Sequence, residues 1–195
     1  ATTFGILYGS SINGLAMKLG ITTDEAEKLV EQYFGVYPRI KDFVASSHAM
    51  AKANHYVYTP FGQRKQQFAT LPCYEGMAVA NAALRNAQNV LIQSTASTLG
   101  LMAFTEVNKR IKALGGRVMC TVYDSLECMV PRSRVAEAIE LCYYCMDDWP
   151  QEVYSWLDFP IGADAEIGFN WGNSLSHVYR GISQDACEVL LNKAA

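Results

Sequence analysis

Apolar residues first recur with helical spacing at Ile12, Leu15, Ala16 and Leu19, and Gly20 closes that run. A second helix opens at Thr22, a side chain suited to capping, with Asp24 and Glu25 in the first turn, where the helix dipole favours acids. Its stripe is Ala26, Leu29, Val30 and Tyr33-Phe34, and Gly35 and Pro38 are expected to break it. Pro38 suits the first turn of a third helix that carries Ile40, Phe43 and Val44 and runs to about Ala53. The stretch HYVYTPFGQRKQQF alternates, turns at Pro60-Phe61-Gly62 and alternates again, the pattern of a hairpin.

From about Tyr74 to Leu114 the pattern predicts one long central helix, free of Pro and dominated by Ala, Leu, Met and Gln. Gly115-Gly116 ends it. RVMCTVYDSLECMV then reads as two short strands joined at Tyr123-Asp124-Ser125, since Asp and Ser favour turns. Pro131 stops the second strand, Val135 to Trp156 predicts an amphipathic helix, and FPIGADAEIGFNWG predicts a closing strand and turn. The tail from His177 reads as a turn and a helix from Gln184 to Lys193. Helices segregated from a small antiparallel sheet define an α+β fold.

Composition changes this picture little. The 195 residues are 50% hydrophobic and 18% charged with a formal net charge of −3, an ordinary globular balance that gives no electrostatic case for nucleic-acid binding by charge alone. No apolar run of about 18 residues predicts a membrane span. The start lacks the basic and apolar regions of a signal peptide, so a cytoplasmic, non-secreted protein with six reduced cysteines is expected. Cys142-Tyr-Tyr-Cys145 has CxxC spacing; packing on one helix is the favoured reading, and a zinc or redox site the alternative.

Four polar or aromatic features stand out. Phe4 and Tyr8 are four apart, so a helix would put them on one face, either as core or as a platform for a base, with Gly5 and Gly9 keeping that surface open. Arg85, Asn89 and Gln93 are spaced i, i+4, i+8, and Arg85 is the only charge between Ala78 and Gly100. Such a stripe needs partners, and the acceptors of a nucleic-acid minor groove suit it. Asp124 sits at the tip of an apolar hairpin; the strands are expected to bring it against the core, where a carboxylate needs a partner or a metal. Gln63, Arg64, Lys65, Gln66 and Gln67 form a small polar and basic patch, either plain solvent-facing surface or a phosphate contact.

In this order and at these spacings the features resemble the C-terminal part of the polymerase domain of family A DNA polymerases, the family of bacterial polymerase I and its phage relatives. TTFGILYG matches the second half of the fingers-helix motif Lys-x-x-x-Phe-Gly-x-x-Tyr-Gly, and EQYFGVYPRIKDFV matches the fingers segment after it. TPFGQRK matches the Gly-Arg-Arg hairpin, RNAQNVLIQSTAS the Arg-x-x-x-Asn-x-x-x-Gln helix, and VYDSLE stands where the family has Val-His-Asp-Glu. GFNWG is similar to a closing motif of phage members. The resemblance runs from residue 1 to about residue 175.

That resemblance implies a right-hand polymerase fragment, with a fingers segment over 1–54 and a palm segment over 55–195. It implies a DNA-dependent DNA polymerase that adds dNTPs to a primer 3′ end by two-metal phosphoryl transfer, in a bacterial or phage-infected cell. Phe4 and Gly5 would meet the incoming nucleotide, and a Phe at position 4 in place of Tyr implies discrimination against dideoxynucleotides. Tyr8 would stack near the templating position. Arg85, Asn89 and Gln93 would track the primer–template minor groove, while Gln63, Arg64, Lys65 and Tyr123 would contact DNA. Asp124 would be one of two aspartates that hold two Mg²⁺. Two positions depart from the pattern: Tyr123 replaces the His and cannot be cationic, and Ser125 replaces the Glu and removes a carboxylate beside the metal.

In the family the other metal aspartate lies upstream, and the motif lysine would stand one position before Ala1. The expectation is therefore a split or divided enzyme that works only with an N-terminal polymerase fragment carrying that aspartate and the triphosphate-binding Lys and Arg. Palm strands left without neighbours would expose an apolar edge and make the chain poorly soluble. Tyr123 and Ser125 keep open an alternative, a catalytically inactive, polymerase-derived DNA-binding or scaffold protein; a generic α+β domain is a third reading.

Overall fold

A computed structural model of the chain describes residues 2–67, 70–71, 75–171 and 175–194, the side chains of Thr2, Phe4 and Ala194 excepted. The fold is α+β and divides into two compact units, Ala1–Thr95 and Ala96–Ala195. The division falls inside the longest helix.

The first unit begins with three short helices, α1 (Thr2–Leu7), α2 (Ile12–Leu19) and α3 (Thr23–Val36). Caps set their ends. Ser11 accepts from the Gly14 amide at the start of α2, and Gly20 takes the left-handed conformation (φ +68°) at its end. Thr22 and Glu25 form a reciprocal capping box at the start of α3, and the two hydrogen bonds from Thr22 hold the Glu25 carboxyl below its usual range. Gly35 does not break α3, which ends one residue later at Val36. The stop comes from Pro38, whose ring disfavours helical backbone at Tyr37 and then starts α4 (Pro38–Asn54). Buried Ile6, Leu15, Ala16 and Ala26 join these helices, with Leu29, Val30, Tyr33 and Phe34 around them.

His55, itself left-handed at φ +63°, turns α4 into β1 (Tyr56–Tyr58), which pairs antiparallel with β2 (Arg64–Gln66), Val57 opposite Lys65. The long helix, α5 (Ala78–Arg110), has 33 residues and gives way to a 3-10 turn over Ile111–Leu114. It is shorter than the expected Tyr74–Leu114, and Tyr74 lies outside the described residues. Ala87 and Leu91 on α5 close a second small core with Ala51 and Val57.

The second unit holds β3 (Arg117–Val122) and β4 (Ser125–Met129), paired antiparallel with Met119 bulged out between Val118 and Cys120. Val118, Leu126 and Cys128 pack toward Val107, Ile111 and fully buried Cys145. Met119 and Met129 stay about half exposed, and β3 and β4 pair only with each other among the described residues. In place of the expected single small sheet, the described residues form three separate two-stranded ladders.

The amphipathic helix expected over Val135 to Trp156 is interrupted. It runs as α6 (Val135–Tyr143), a π turn over Tyr144–Asp148, and α7 (Trp149–Val153). Pro150 has no amide hydrogen to complete the regular ladder, and the Trp149 amide reaches back to the Tyr144 carbonyl instead. Cys142 and Cys145 are packing residues: Cys142 donates to Cys128, which raises the Cys142 thiol and lowers that of Cys128, and burial pushes Cys145 up to about 11.

The chain then forms β5 (Ala165–Ile167), paired antiparallel with β6 (Ser176–Val178), and ends in α8 (Gln184–Ala194). This tail is core. Val178, Ile182, Cys187 and Leu191 are buried against Val135 and Ile139 of α6. Polar contacts fix the same dock: Arg132 bonds Glu188 at 2.7 Å, and Gln184 accepts from the Ala136 amide at 3.1 Å. Arg180 pairs with Asp148 and Glu140.

Truncating Leu191 to Ala leaves a cavity where α8 meets α6 and is expected to cost about 2–4 kcal/mol in urea unfolding of the chain. Arg180 holds the Asp148 carboxyl below its usual range. The stability from that pair is therefore present above the ordinary carboxylate range and lost as pH falls through the depressed value. The destabilisation caused by Asp148→Asn should shrink between about pH 7 and pH 3 in parallel urea titrations.

Candidate functional site

In the first unit α1 carries the aromatic motif. Leu7 is its last residue, so Tyr8 stands just past the helix end and is 41% exposed. The Phe4 side chain lies outside the described residues. The end of α1 is a Schellman motif: the Gly9 amide bonds the Ile6 carbonyl at 3.0 Å, and the Ser10 amide bonds the Gly5 carbonyl at 2.9 Å. Gly9 supplies the left-handed residue at φ +72°.

The two glycines do not hold open a surface for a flat ligand, as the spacing suggested. They face the chain itself. A Cβ at Gly9 would lie 2.9 Å from Arg85 Cγ and 3.2 Å from Gln88 Nε2. A Cβ at Gly5 would meet Leu15 Cδ1 and Ser10 Oγ at 3.5 Å. The requirement at Gly9 is close approach to α5.

The polar stripe of α5 has its first partners within the chain. Asn89 Nδ2 donates to the Tyr8 carbonyl at 3.4 Å, while Asn89 Oδ1 is buried with no partner among the described residues. Arg85 lays its aliphatic stem over Gly9 and is otherwise exposed, and Gln93 lies exposed one turn beyond Asn89. The residue that the spacing missed is Gln88. It is 1% exposed, donates to the Leu7 carbonyl at 2.8 Å and accepts from His48 at 2.9 Å. Its signal was present, since Gln88 lies three residues after Arg85 and shares that face.

At the β1–β2 hairpin, Arg64 sits over the Tyr56 ring at 4.0 Å and is exposed. Lys65 is half-buried, and the Gln63 backbone closes the turn on Thr59. Gln67 leaves the expected patch: it is buried, and its amide bonds the His55 carbonyl at 2.7 Å.

In the second unit Tyr123 and Asp124 form a two-residue turn between β3 and β4, with Val122 opposite Ser125. Tyr123 is fully exposed at φ +55°, a conformation rare for an aromatic residue and one that stores strain at a turn. Asp124 is exposed too. The strands do not press it into the core, so the burial argument for a bound metal fails here; what the turn offers is an accessible carboxylate. Ser125 Oγ has two acceptors for its one proton, the Val122 carbonyl at 3.0 Å and Glu127 Oε1 at 3.4 Å. A carboxylate thus sits two residues along the face where Ser125 removes one, a consequence of strand alternation.

Among the described residues no three His, Cys, Asp or Glu side chains are grouped to hold a metal. The donor set at the turn fits Mg²⁺ in part, since that ion takes one or two carboxylates and completes its shell with water and substrate phosphates. Asp124 could supply one such carboxylate.

The POL domain of Pol1 from M. smegmatis, solved in complex with DNA primer-template and dNTP, superposes with a TM-score of 0.74 and 28% identity, over 95% of this chain and 30% of that one. The sequence profile of DNA polymerase family A matches residues 1–173, and the chain belongs to that family. Thermostable DNA polymerase I of Thermus filiformis is 32% identical over 169 residues, 86% of this chain and 19% of its own length. DNA polymerase I of Chloroflexus aurantiacus is 32% identical over 170 residues, 86% of this chain and 17% of its own. The chain therefore spans about a fifth of the length of these relatives. No helix among the described residues is long and apolar enough to cross a membrane.

Gly9→Ala would force a left-handed alanine and push a methyl group into the Arg85 stem. It is expected to cost about 1–3 kcal/mol, read as a lower urea midpoint with an unchanged slope.

Proposed function

We propose that this chain provides the nucleotide-facing helix and one metal-binding carboxylate of a DNA-dependent DNA polymerase that extends a primer 3′ end with dNTPs. The observation that carries the reading is the exposed Asp124 at the tip of the β3–β4 turn, within a family A match that spans residues 1–173. On this reading residues 1–54 serve as the fingers segment and 55–195 as the palm segment.

Each residue has a physical task in that reaction. Phe4 and Tyr8 have aromatic faces suited to the nucleotide and the templating base, and Gly5 stands beside Phe4 in the same motif. Arg85, Asn89 and Gln93 have donors suited to minor-groove acceptors that every correct base pair presents. Gln63, Arg64 and Lys65 contact backbone phosphates, which position a duplex without reading it, and Tyr123 can donate one hydrogen bond to a phosphate. Asp124, with Ser125 and Glu127 beside it, would hold Mg²⁺. Two such ions, when bound, supply charge stabilisation to the entering and leaving oxygens of phosphoryl transfer.

One carboxylate cannot fix two ions. The reading therefore assigns the second aspartate and the triphosphate-binding Lys and Arg to an N-terminal polymerase portion outside these residues. Activity requires both portions. A cytoplasmic site of action follows from the need for DNA and dNTPs. The second reading is a DNA-binding scaffold without activity, favoured by Tyr123 and Ser125 standing where the family pattern has His and Glu.

Combined with the upstream region of a family A polymerase, the chain should extend a primer in Mg²⁺ and dNTPs, and Asp124→Ala should lower the rate by about a thousandfold or more. Gel-based primer extension decides. Extension by the chain alone, or full activity of Asp124→Ala, contradicts the proposal; primer–template binding without extension supports the scaffold.

A further inference from the structure

A helix leaves its last carbonyls without donors from its own backbone. The Schellman motif at the end of α1 satisfies the carbonyls of Gly5 and Ile6. It leaves those of Leu7 and Tyr8, the residues that lead into the exposed aromatic. Both are met by neighbouring amides of α5: Gln88 Nε2 donates to Leu7 at 2.8 Å, and Asn89 Nδ2 to Tyr8 at 3.4 Å.

Gln88 is the stronger tie and is closed at both ends. The Leu7 carbonyl can only accept, so the amide nitrogen of Gln88 must face it and Gln88 Oε1 must face His48. His48 therefore carries its proton on Nε2 and donates it to Gln88 at 2.9 Å. The result is one part-buried polar line from α4, through α5, to the end of α1. A hydrogen bond to one carbonyl is directional where apolar contact is not, so what bonds the last carbonyls of α1 decides where that end lies. The apolar grip is at Ile6, against Leu15 and Ala16. The directional grip is Gln88.

We infer that His48 and Gln88 are positioning residues: they fix the C-terminal end of α1 and with it Tyr8, so that the aromatic meets the incoming nucleotide in one place. The role toward nucleotide rests on the polymerase reading above. The clamp itself does not.

The first test uses the 195-residue chain and amide hydrogen exchange resolved by residue. Gln88→Met and His48→Leu should speed exchange of the Gly9 and Ser10 amides by about tenfold or more, while the amides of α2 and α8 keep their rates. His48→Gln, whose amide can still donate to Gln88, should restore those rates to within about threefold. Unchanged exchange at Gly9 and Ser10, or equal acceleration throughout the chain in both variants, overturns the clamp. A Gln88→Met chain that does not fold leaves the His48 pair of variants to decide by the same criteria.

The second test uses the chain joined to an upstream polymerase region. There His48→Leu should raise the KM for dNTP by about tenfold with kcat within about threefold, and His48→Gln should restore it. An active assembly whose KM does not move overturns the positioning role. An unmodified assembly that incorporates no nucleotide overturns the polymerase reading, and with it the role toward nucleotide; exchange still decides the clamp.

Discussion

The amide of Gln88 is the contact on which the first unit's functional end depends. α1 carries no basic residue in its last turn to meet its free carbonyls. Its apolar side holds it to α2 and α3, yet apolar contact is non-directional and leaves a helix free to roll. A part-buried hydrogen bond to one named carbonyl supplies direction. The Gly9 backbone then fits under the Arg85 stem, which is why the turn after α1 tolerates no side chain there. The residues that the family places around a nucleotide are thus built on a helix end gripped from α5.

The second unit rests on a different constraint. β3 and β4 form an isolated two-stranded ladder among the described residues, and such a ladder is marginal unless one face packs. Val118, Leu126 and Cys128 provide that face against α5's last turns and the π turn. The opposite face keeps Met119 and Met129 exposed. Tyr123 at a strained φ and exposed Asp124 then sit at the free tip, where no packing would hold a charge back from solvent. The tail adds a second core to this unit, although the family profile ends at residue 173.

Much of the fold was legible in the sequence, because caps and periodicity are local signals. Thr22, Gly20, Pro38 and the Tyr123-Asp124 turn each announced an element boundary that the structure bears out. The π turn was not legible, since Val135 to Trp156 keeps an apolar stripe across it and Pro150 alone hints at the break. The packing role of the tail was hidden for a similar reason: Val178, Ile182, Cys187 and Leu191 show which face is apolar and not what covers it.

The exposed chemistry of the candidate site is open to sequence reasoning, and its support is not. Asp124, Tyr8 and the Arg85 stripe could be read from residue type and spacing. His48 and Gln88 are forty residues apart and meet only through the fold. The solvent-facing position of Asp124 also escaped sequence reasoning, because apolar strands suggest burial and only the packing shows which end of a hairpin stands clear.

The central claim is that Asp124 holds a catalytic metal in an assembled polymerase. Its most direct test is a crystal structure of the chain with an upstream polymerase region, primer–template, an incoming dNTP and Mn²⁺ in place of Mg²⁺, with anomalous scattering locating the ions. The account predicts an ion coordinated by an Asp124 carboxylate oxygen and shared with the nucleotide phosphates. Ions bound at the nucleotide while Asp124 remains turned to solvent would contradict it.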